Sequence, residues 1–361
     1  MRYVDLKNRR WCRIVVAVAW LLACCEFGFA QEPKLQISNV RRVFHNGEHN
    51  AFTDLVRFQD QLYLTFRSCP AGHMVHNTAS IIVLVSNDGG VAWRQVHRFS
   101  VPLRDTRDPH FLVFKHRLFV YTGTWFAGKT TIKPADYDLN LHLGYAAVTD
   151  DGESWQSPIM LEGTFGHYIW RAAAFGDRAY LCGRRKQGFD VAPRGEGPEV
   201  ESLMLESDDG LIWRKAATFQ EVDGDETAFQ FDDDGQITAV ARRGRREAQL
   251  LRSAPPYDHW SRTDLSHYVG GPLLVDWQQR QLVGGRQMLP GQEPQLVLYW
   301  LVNGQLRQCA ELPSGGDCSY PGFVSFDDTH GLLSWYSSHE KDASGKTITA
   351  IYLADVAIGS D

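Results

Sequence analysis

Along most of this chain apolar residues alternate with polar ones at the two-residue period of a pleated strand, in short runs rich in Val, Ile, Leu, Phe, Tyr and Trp. These runs come in pairs broken by a polar turn. Phe52–Arg67 turns at Gln59-Asp60, Pro109–Trp125 at Lys115-His116, and Tyr168–Arg185 at Gly176-Asp177. Thr227–Arg243 turns at Asp233-Asp234-Gly235, Pro272–Arg286 at Gln278-Gln279, and Tyr320–Ser338 at Asp328-Thr329-His330. Each pair is a predicted hairpin. Convincing amphipathic helices do not occur.

A second repeat lies between the hairpins. Ser86-Asn-Asp88-Gly-Gly90-Val-Ala-Trp93, Val148-Thr-Asp150-Asp-Gly152-Glu-Ser-Trp155 and Glu206-Ser-Asp208-Asp-Gly210-Leu-Ile-Trp213 set Asp, Gly and Trp at common offsets, with tryptophans 62 and 58 residues apart. Ser253 to Trp260 is a degenerate fourth copy. Asp bonds its own turn backbone, Gly supplies positive φ, and Trp packs under the next strand. Six hairpin units at about 55 residues each match four-stranded blades, so the expected fold is all-β, a single six-bladed β-propeller. Gln36–Phe44 is expected to close the ring against the last blade. A sandwich, or two smaller β domains, is the alternative.

The first thirty residues differ in kind. Arg2, Lys7, Arg9, Arg10 and Arg13 precede the apolar run Ile14 to Cys25, and Gly28-Phe29-Ala30 offers a cleavage site, so 1–30 reads as a signal peptide and 31–361 as the propeller domain. A cut before Cys24 would instead leave a lipid anchor. The expectation is a secreted or periplasmic protein, monomeric by preference, with no later stretch long enough to span a membrane. Losing five basic and two acidic residues takes the formal charge from −6 to −9, which argues against nucleic acid as a partner. Cys69, Cys182, Cys309 and Cys318 remain, too few for a disulfide scaffold and not spaced for zinc; at most two bridges are open to them.

In a propeller the innermost strands start around a central channel, so the starts of the six units converge. This brings Asp54, Arg107-Asp108, Trp170-Arg171, Asp225-Glu226, Gly270-Gly271 and Tyr320 to one end of the ring. Strand ends add Arg67, Arg184-Arg185, Arg242-Arg243 and Arg286. Guanidinium groups grip a carboxylate by paired hydrogen bonds, and a tyrosine beside a glutamate is an activatable nucleophile. That set suits an acidic sugar or glycan. A tyrosine avoids the repulsion that a carboxylate nucleophile meets at an anomeric carbon already bearing a carboxylate.

The three Asp-Gly-Trp turns, together with His49-Asn-Ala-Phe-Thr-Asp54, Ser314-Gly-Gly-Asp-Cys-Ser-Tyr-Pro-Gly322 and Tyr336-Ser-Ser-His-Glu340, resemble the sialidase superfamily, and within it the secreted bacterial exo-sialidase-like propellers with Asp-box repeats, over nearly all of 36–357. The resemblance implies Tyr320 as nucleophile, Glu226 as its proton acceptor, and Arg242 and Arg286 as carboxylate ligands, with Arg243 as the alternative to Arg242. It also implies hydrolysis of a terminal sialic-acid-like sugar with retention, without cofactor or metal. The chain departs from the pattern twice. Phe52-Thr53-Asp54 stands where the family carries Arg-Ile-Pro, and the loop after Arg67 has His73 and His76 in place of the general-acid aspartate. Arg67, Arg107 or Arg171 is expected to replace the arginine; Asp54, Asp108 or His76 is expected to supply the proton. Two other functions stay open: a non-catalytic acidic-glycan-binding propeller, and a propeller glycosidase using paired carboxylates such as Asp54, Asp108 and Glu226 on another sugar. His73, His76 and His110 lack a regular metal-site spacing. The run Arg242-Arg243-Gly244-Arg245-Arg246 reads as one inward arginine on a solvated turn.

Overall fold

A computed structural model describes residues 32–129, 132–133, 136–190 and 200–359; the expected leader and Cys24 lie outside them. The strands form six four-stranded antiparallel sheets, the blades of a six-bladed β-propeller. Five blades are contiguous in sequence, and their innermost strands are His49–Phe58, Arg104–Phe114, Tyr168–Phe175, Thr227–Phe231 and Gly270–Trp277. The sixth takes Ser319–Ser325, His330–Lys341 and Thr347–Ile358 from the end of the chain and its outer strand, Leu35–Phe44, from the start. Leu35 pairs with Ile358, so the ring is closed by the register expected from the first strand.

The polar turns behave as their chemistry dictates, with one shift of register. In the first, Ser86 Oγ donates to Asp88 Oδ1 at 2.7 Å, and that carboxylate accepts the N–H groups of Val91 and Ala92. In the second and third the equivalent acids are Asp151 and Asp209, each one residue after the aspartate that the common offset from tryptophan selects. Those turns are one residue shorter between acid and tryptophan. What they share is the glycine at positive φ three residues before the Trp, and in the fourth copy Tyr257 at φ 70° takes its place, accepting from Trp260 Nε1 at 2.9 Å. Burial follows the blades. Trp170, Trp300 and Trp335 are buried between facing sheets, where each large side chain removed from water contributes about 2–3 kcal/mol. Cys69, Cys182, Cys309 and Cys318 are buried free thiols.

One irregularity matters for everything that follows. The pairing of the first two strands slips by a residue between Ala51 and Asp54, Arg107 and His110, Ile169 and Ala172, Gly270 and Leu273, and Ser319 and Gly322. At these bulges Phe52, Asp108, Gly271 and Tyr320 adopt left-handed φ values of 51–64°. A bulge re-aims the side chain it contains, and a left-handed conformation costs a non-glycine residue of order 1–3 kcal/mol. Repeated around the ring, it turns Phe52, Asp108 and Tyr320 toward one cavity.

Candidate functional site

That cavity, about 420 Å³, is lined by Phe52, His73, Arg107, Asp108, Trp125, Tyr168 and Arg184 from the first three blades and by Glu226, Arg242, Arg286, Asp317, Tyr320 and Tyr336 from the rest of the ring. Its size suits one sugar residue. At its floor the Tyr320 phenol donates to Glu226 Oε1 at 2.5 Å. Glu226 precedes the only innermost strand without a bulge, and its backbone carbonyl accepts from Arg242 N at 2.9 Å, fixing the carboxylate at the strand entrance. Its other oxygen accepts from Arg242 Nη1 at 3.0 Å and from the Gly271 N–H at 3.1 Å. Burial alone would raise the Glu226 pKa, but Arg242, then Arg184, then the Tyr320 hydrogen bond hold it well below the usual carboxylate range. Glu226 is therefore ionised and ready to accept a proton. Gly271 is required here: φ is +59°, and a Cβ would come within 2.6 Å of Ser319 Oγ and 2.7 Å of the Tyr320 ring.

Asp108 sits on the other side of Tyr320, its Oδ2 3.5 Å from Oη and bonded also by the Tyr168 phenol. Its Oδ1 is buried without a partner. Burial pushes its pKa up to about 6, against the pull of Arg107 and with further lift from Glu226. Burial, Asp108 and Glu226 together raise the Tyr320 phenol well above its ordinary value, so it is neutral until a base takes its proton.

Four guanidinium groups surround this floor. Arg242 pairs with Glu226 and, at 3.3 Å, with Asp225. Arg184 pairs with Asp225 at 2.5 Å. Arg107 bonds Asp105 at 2.6 Å, and its guanidinium lies over Phe52 at 5.7 Å, in the region where the first arginine was expected. Arg286 contacts the Cys318 carbonyl at 3.5 Å, Asp317 at 3.8 Å and the Tyr268 hydroxyl, and has no close carboxylate partner. Arg243 points away and pairs with Asp264, as alternation along a strand requires.

Four expected residues lie outside the cavity. Arg67 is fully buried, bonded to both Asp105 oxygens at 3.0 and 2.9 Å and to the carbonyls of Gly72 and Met74. It staples the 70–79 loop instead of facing a ligand. Arg171 and Asp54 pair at 2.8 Å and line a separate, smaller cavity with Phe111, Phe229 and Phe323. Asp54 also accepts the Phe111 N–H, so it is spent on structure and is no proton donor for the site. The reason is the bulge: it points Phe52 into the site and sends Asp54 down the channel. His76 bonds Thr78 at 2.8 Å and does not line the cavity.

The sequence reading passed over other lining groups. Arg184 was only one of several strand-end arginines, Asp317 and Tyr336 lie in segments that carry the resemblance but had no role assigned, and Tyr168 and Trp125 carry no distinguishing motif. His49 Nε2 and His73 Nδ1 converge on Asp317 Oδ2, at 2.9 and 2.6 Å, and these three donor atoms lie within 4.8 Å of one another, close enough for a metal. The surroundings do not suit one. His49 Nδ1 is buried without the backing acceptor that metal-bound histidines use, and the Arg286 cation stands 3.8 Å from the same carboxylate.

No family model and no curated protein matches the chain by sequence. Solved structures do match its fold. A Dyadobacter fermentans protein of unknown function is 17% identical with a TM-score of 0.74, covering 91% of this chain and all of its own. Trypanosoma rangeli sialidase in complex with sialic acid is 12% identical, TM-score 0.60, over 91% of this chain and 59% of that one. Phage phi92 endosialidase is 8% identical, TM-score 0.62, over 90% and 70%. At these identities the likeness concerns the fold, and the fold is that of the sialidase propellers. Among the described residues no helix is long and apolar enough to cross a membrane.

Proposed function

We propose that the protein is an exo-glycosidase of sialidase type that removes a terminal 2-keto sugar acid with retention. The observation that carries this is the Tyr320–Glu226 hydrogen bond at the floor of a cavity ringed by Arg107, Arg184, Arg242 and Arg286. Arg286 and Arg242 hold the sugar carboxylate, with Arg107 in the role that the first blade's missing arginine leaves open. Tyr320 Oη attacks the anomeric carbon as Glu226 takes its proton, and a neutral attacking group spares the substrate carboxylate an added charge. Asp108 Oδ1, buried and unpartnered, accepts a sugar hydroxyl or amide hydrogen. The basic-then-apolar start of the chain supports action outside the cytoplasm after cleavage near Ala30.

The test is turnover of a fluorogenic sialoside panel, followed by intact-mass analysis after reaction with a 2,3-difluorinated sugar acid. Wild type should turn over at least one acidic sugar and carry one sugar on Tyr320; Tyr320→Phe should lose turnover by orders of magnitude and carry none. Undiminished activity in Tyr320→Phe refutes the mechanism. Binding of acidic sugars without turnover by wild type would make this a glycan-binding propeller instead.

A further inference from the structure

The proposed reaction needs a group to protonate the departing oxygen, and neither Asp54 nor Asp108 can serve. Asp54 lies in the other cavity. Asp108 is 3.5 Å from the attacking Tyr320 oxygen, on the nucleophile's own side. Retention by double displacement puts nucleophile and acid on opposite faces of the sugar, roughly 5–5.5 Å apart.

Resting on that glycosidase reading, we infer that His73, oriented by Asp317, is the proton donor and, in the second step, the base that activates water. His73 lines the same cavity as Tyr320, with the Phe52 ring between them: its centroid is 5.6 Å from the His73 ring and 4.9 Å from the Tyr320 ring. Nδ1–H of His73 donates to Asp317 Oδ2 at 2.6 Å, which leaves Nε2 as the working nitrogen. A carboxylate on one imidazole nitrogen fixes the tautomer and steadies the protonated ring, so the other nitrogen can give and retake a proton. The side chain is 44% exposed, at the cavity's open edge, where a leaving group departs.

The surroundings hold this pair in place. Tyr336 donates to Asp317 Oδ1 at 2.9 Å, and His49 Nε2 reaches Oδ2. The His73 carbonyl accepts from Arg107 at 2.9 Å, and Arg67 binds the carbonyls on either side of His73, those of Gly72 and Met74. The charged and titratable groups facing the pair are thus His49, Arg67, Arg107, Arg286 and Tyr336. Burial lowers the His49 pKa, and the hydrogen bonds from His49 and His73 keep Asp317 ionised against its own burial.

The step balances. As the bond from Tyr320 Oη to the anomeric carbon forms, the bond to the leaving oxygen breaks and its electron pair takes the proton from His73 Nε2. Glu226 receives the tyrosine proton. In the second step neutral His73 removes a proton from water, the water oxygen displaces Tyr320 from carbon, and Tyr320 recovers its proton from Glu226.

The experiment compares two sialosides in wild type, His73→Ala, His73→Gln and Asp317→Asn. A sialyl-lactose has a poor leaving group that needs the proton; a 4-methylumbelliferyl sialoside has a good one that does not. For the His73 variants we expect kcat/KM on sialyl-lactose to fall about 10²–10⁴-fold, with less than a tenfold fall on the aryl substrate. Added azide should yield a glycosyl azide with the His73 variants only. Asp317→Asn should lower kcat/KM on sialyl-lactose far more than on the aryl substrate, because His73 loses the carboxylate that orients it. An active wild type whose variants lose activity equally on both substrates overturns this inference and leaves the glycosidase reading standing. Activity lost to a chelator and restored by Zn²⁺ would likewise overturn it, by making the cluster a metal site. A wild type inactive on every sialoside overturns the glycosidase reading and this inference with it. Should His73→Ala fail to fold, His73→Gln keeps the polar contact and decides the question.

Discussion

Replacing Asp108 by Asn should stabilise the protein at neutral pH while impairing the site. Asp108 is 3% exposed, and its pKa is raised from 3.8 to about 6 by burial. A carboxyl whose folded pKa exceeds its unfolded value favours folding fully below the unfolded pKa and loses that contribution as pH rises through the folded one. Between pH 3.8 and about 6, ionisation of Asp108 thus withdraws about 3 kcal/mol, at 1.36 kcal/mol per pH unit. Asn does not ionise, accepts the Tyr168 hydrogen bond, and tolerates the φ of 51°. The variant should gain about 3 kcal/mol on wild type between pH 4 and pH 8, which for the roughly 330 residues from Glu32 to Asp361 corresponds to about 4 °C in Tm. Chemical denaturation of both proteins at the two pH values measures the difference free of pH-independent effects. A stability difference that does not change with pH, or that moves against the variant as pH rises, would refute the assignment of Asp108 as a buried carboxyl strained by ionisation.

Two further substitutions probe the scaffold beneath the site. Gly271→Ala places a Cβ 2.7 Å from the Tyr320 ring at φ +59°, so kcat should fall at least tenfold with about 1–2 kcal/mol of stability lost, read by kinetics and denaturation. Asp105→Asn leaves Arg67 and Arg107 without their shared carboxylate and weakens the bond to the His76 N–H; it should cost about 3–5 kcal/mol and speed hydrogen exchange across the 70–79 loop before the blades respond.

The blades were legible because their signals are local. A two-residue period, a polar turn and a Trp under the next strand each act within about ten residues, and counting them gives six sheets. Even the Ser253–Trp260 copy, which lacks glycine at the critical turn, keeps its Trp260 bond to Tyr257. The couple of Tyr320 and Glu226 was legible for a related reason: both stand at blade entrances, and entrances converge. The bulges were not. One inserted residue per entrance leaves no compositional mark, since Phe52, Asp108, Gly271 and Tyr320 share no side-chain chemistry. A strand extrapolated through the bulge assigns Asp54 to the site, when Phe52 faces it. Loop geometry was equally hidden. Telling that His73 and not His76 faces the cavity required knowing that Arg67 would bind the Gly72 and Met74 carbonyls and that Asp105 would hold the His76 N–H.

The electrostatics of the cavity are more selective than a crowd of arginines implies. Its lining carries four guanidinium groups against Asp108, Glu226 and Asp317, in a chain of formal charge −6. Three of the four are already committed: Arg107 to Asp105, Arg184 to Asp225, and Arg242 to Asp225 and Glu226. A committed arginine keeps its position without reorganising, so it orients an anion at little entropic cost, but much of its field is cancelled by its partner. Arg286 is different. Its nearest carboxylate oxygen is 3.8 Å away, its other partners are the neutral Tyr268 hydroxyl and the Cys318 carbonyl, and its Nε is buried without a partner. An incoming carboxylate therefore gains most at Arg286, where no close ion pair has to be broken, while the other three limit where its second oxygen and the rest of the ligand lie. A flat ring of uncommitted arginines would attract any anion. One arginine without a close carboxylate among three fixed ones favours an anion whose carboxylate stands at a set distance from the group placed against Tyr320.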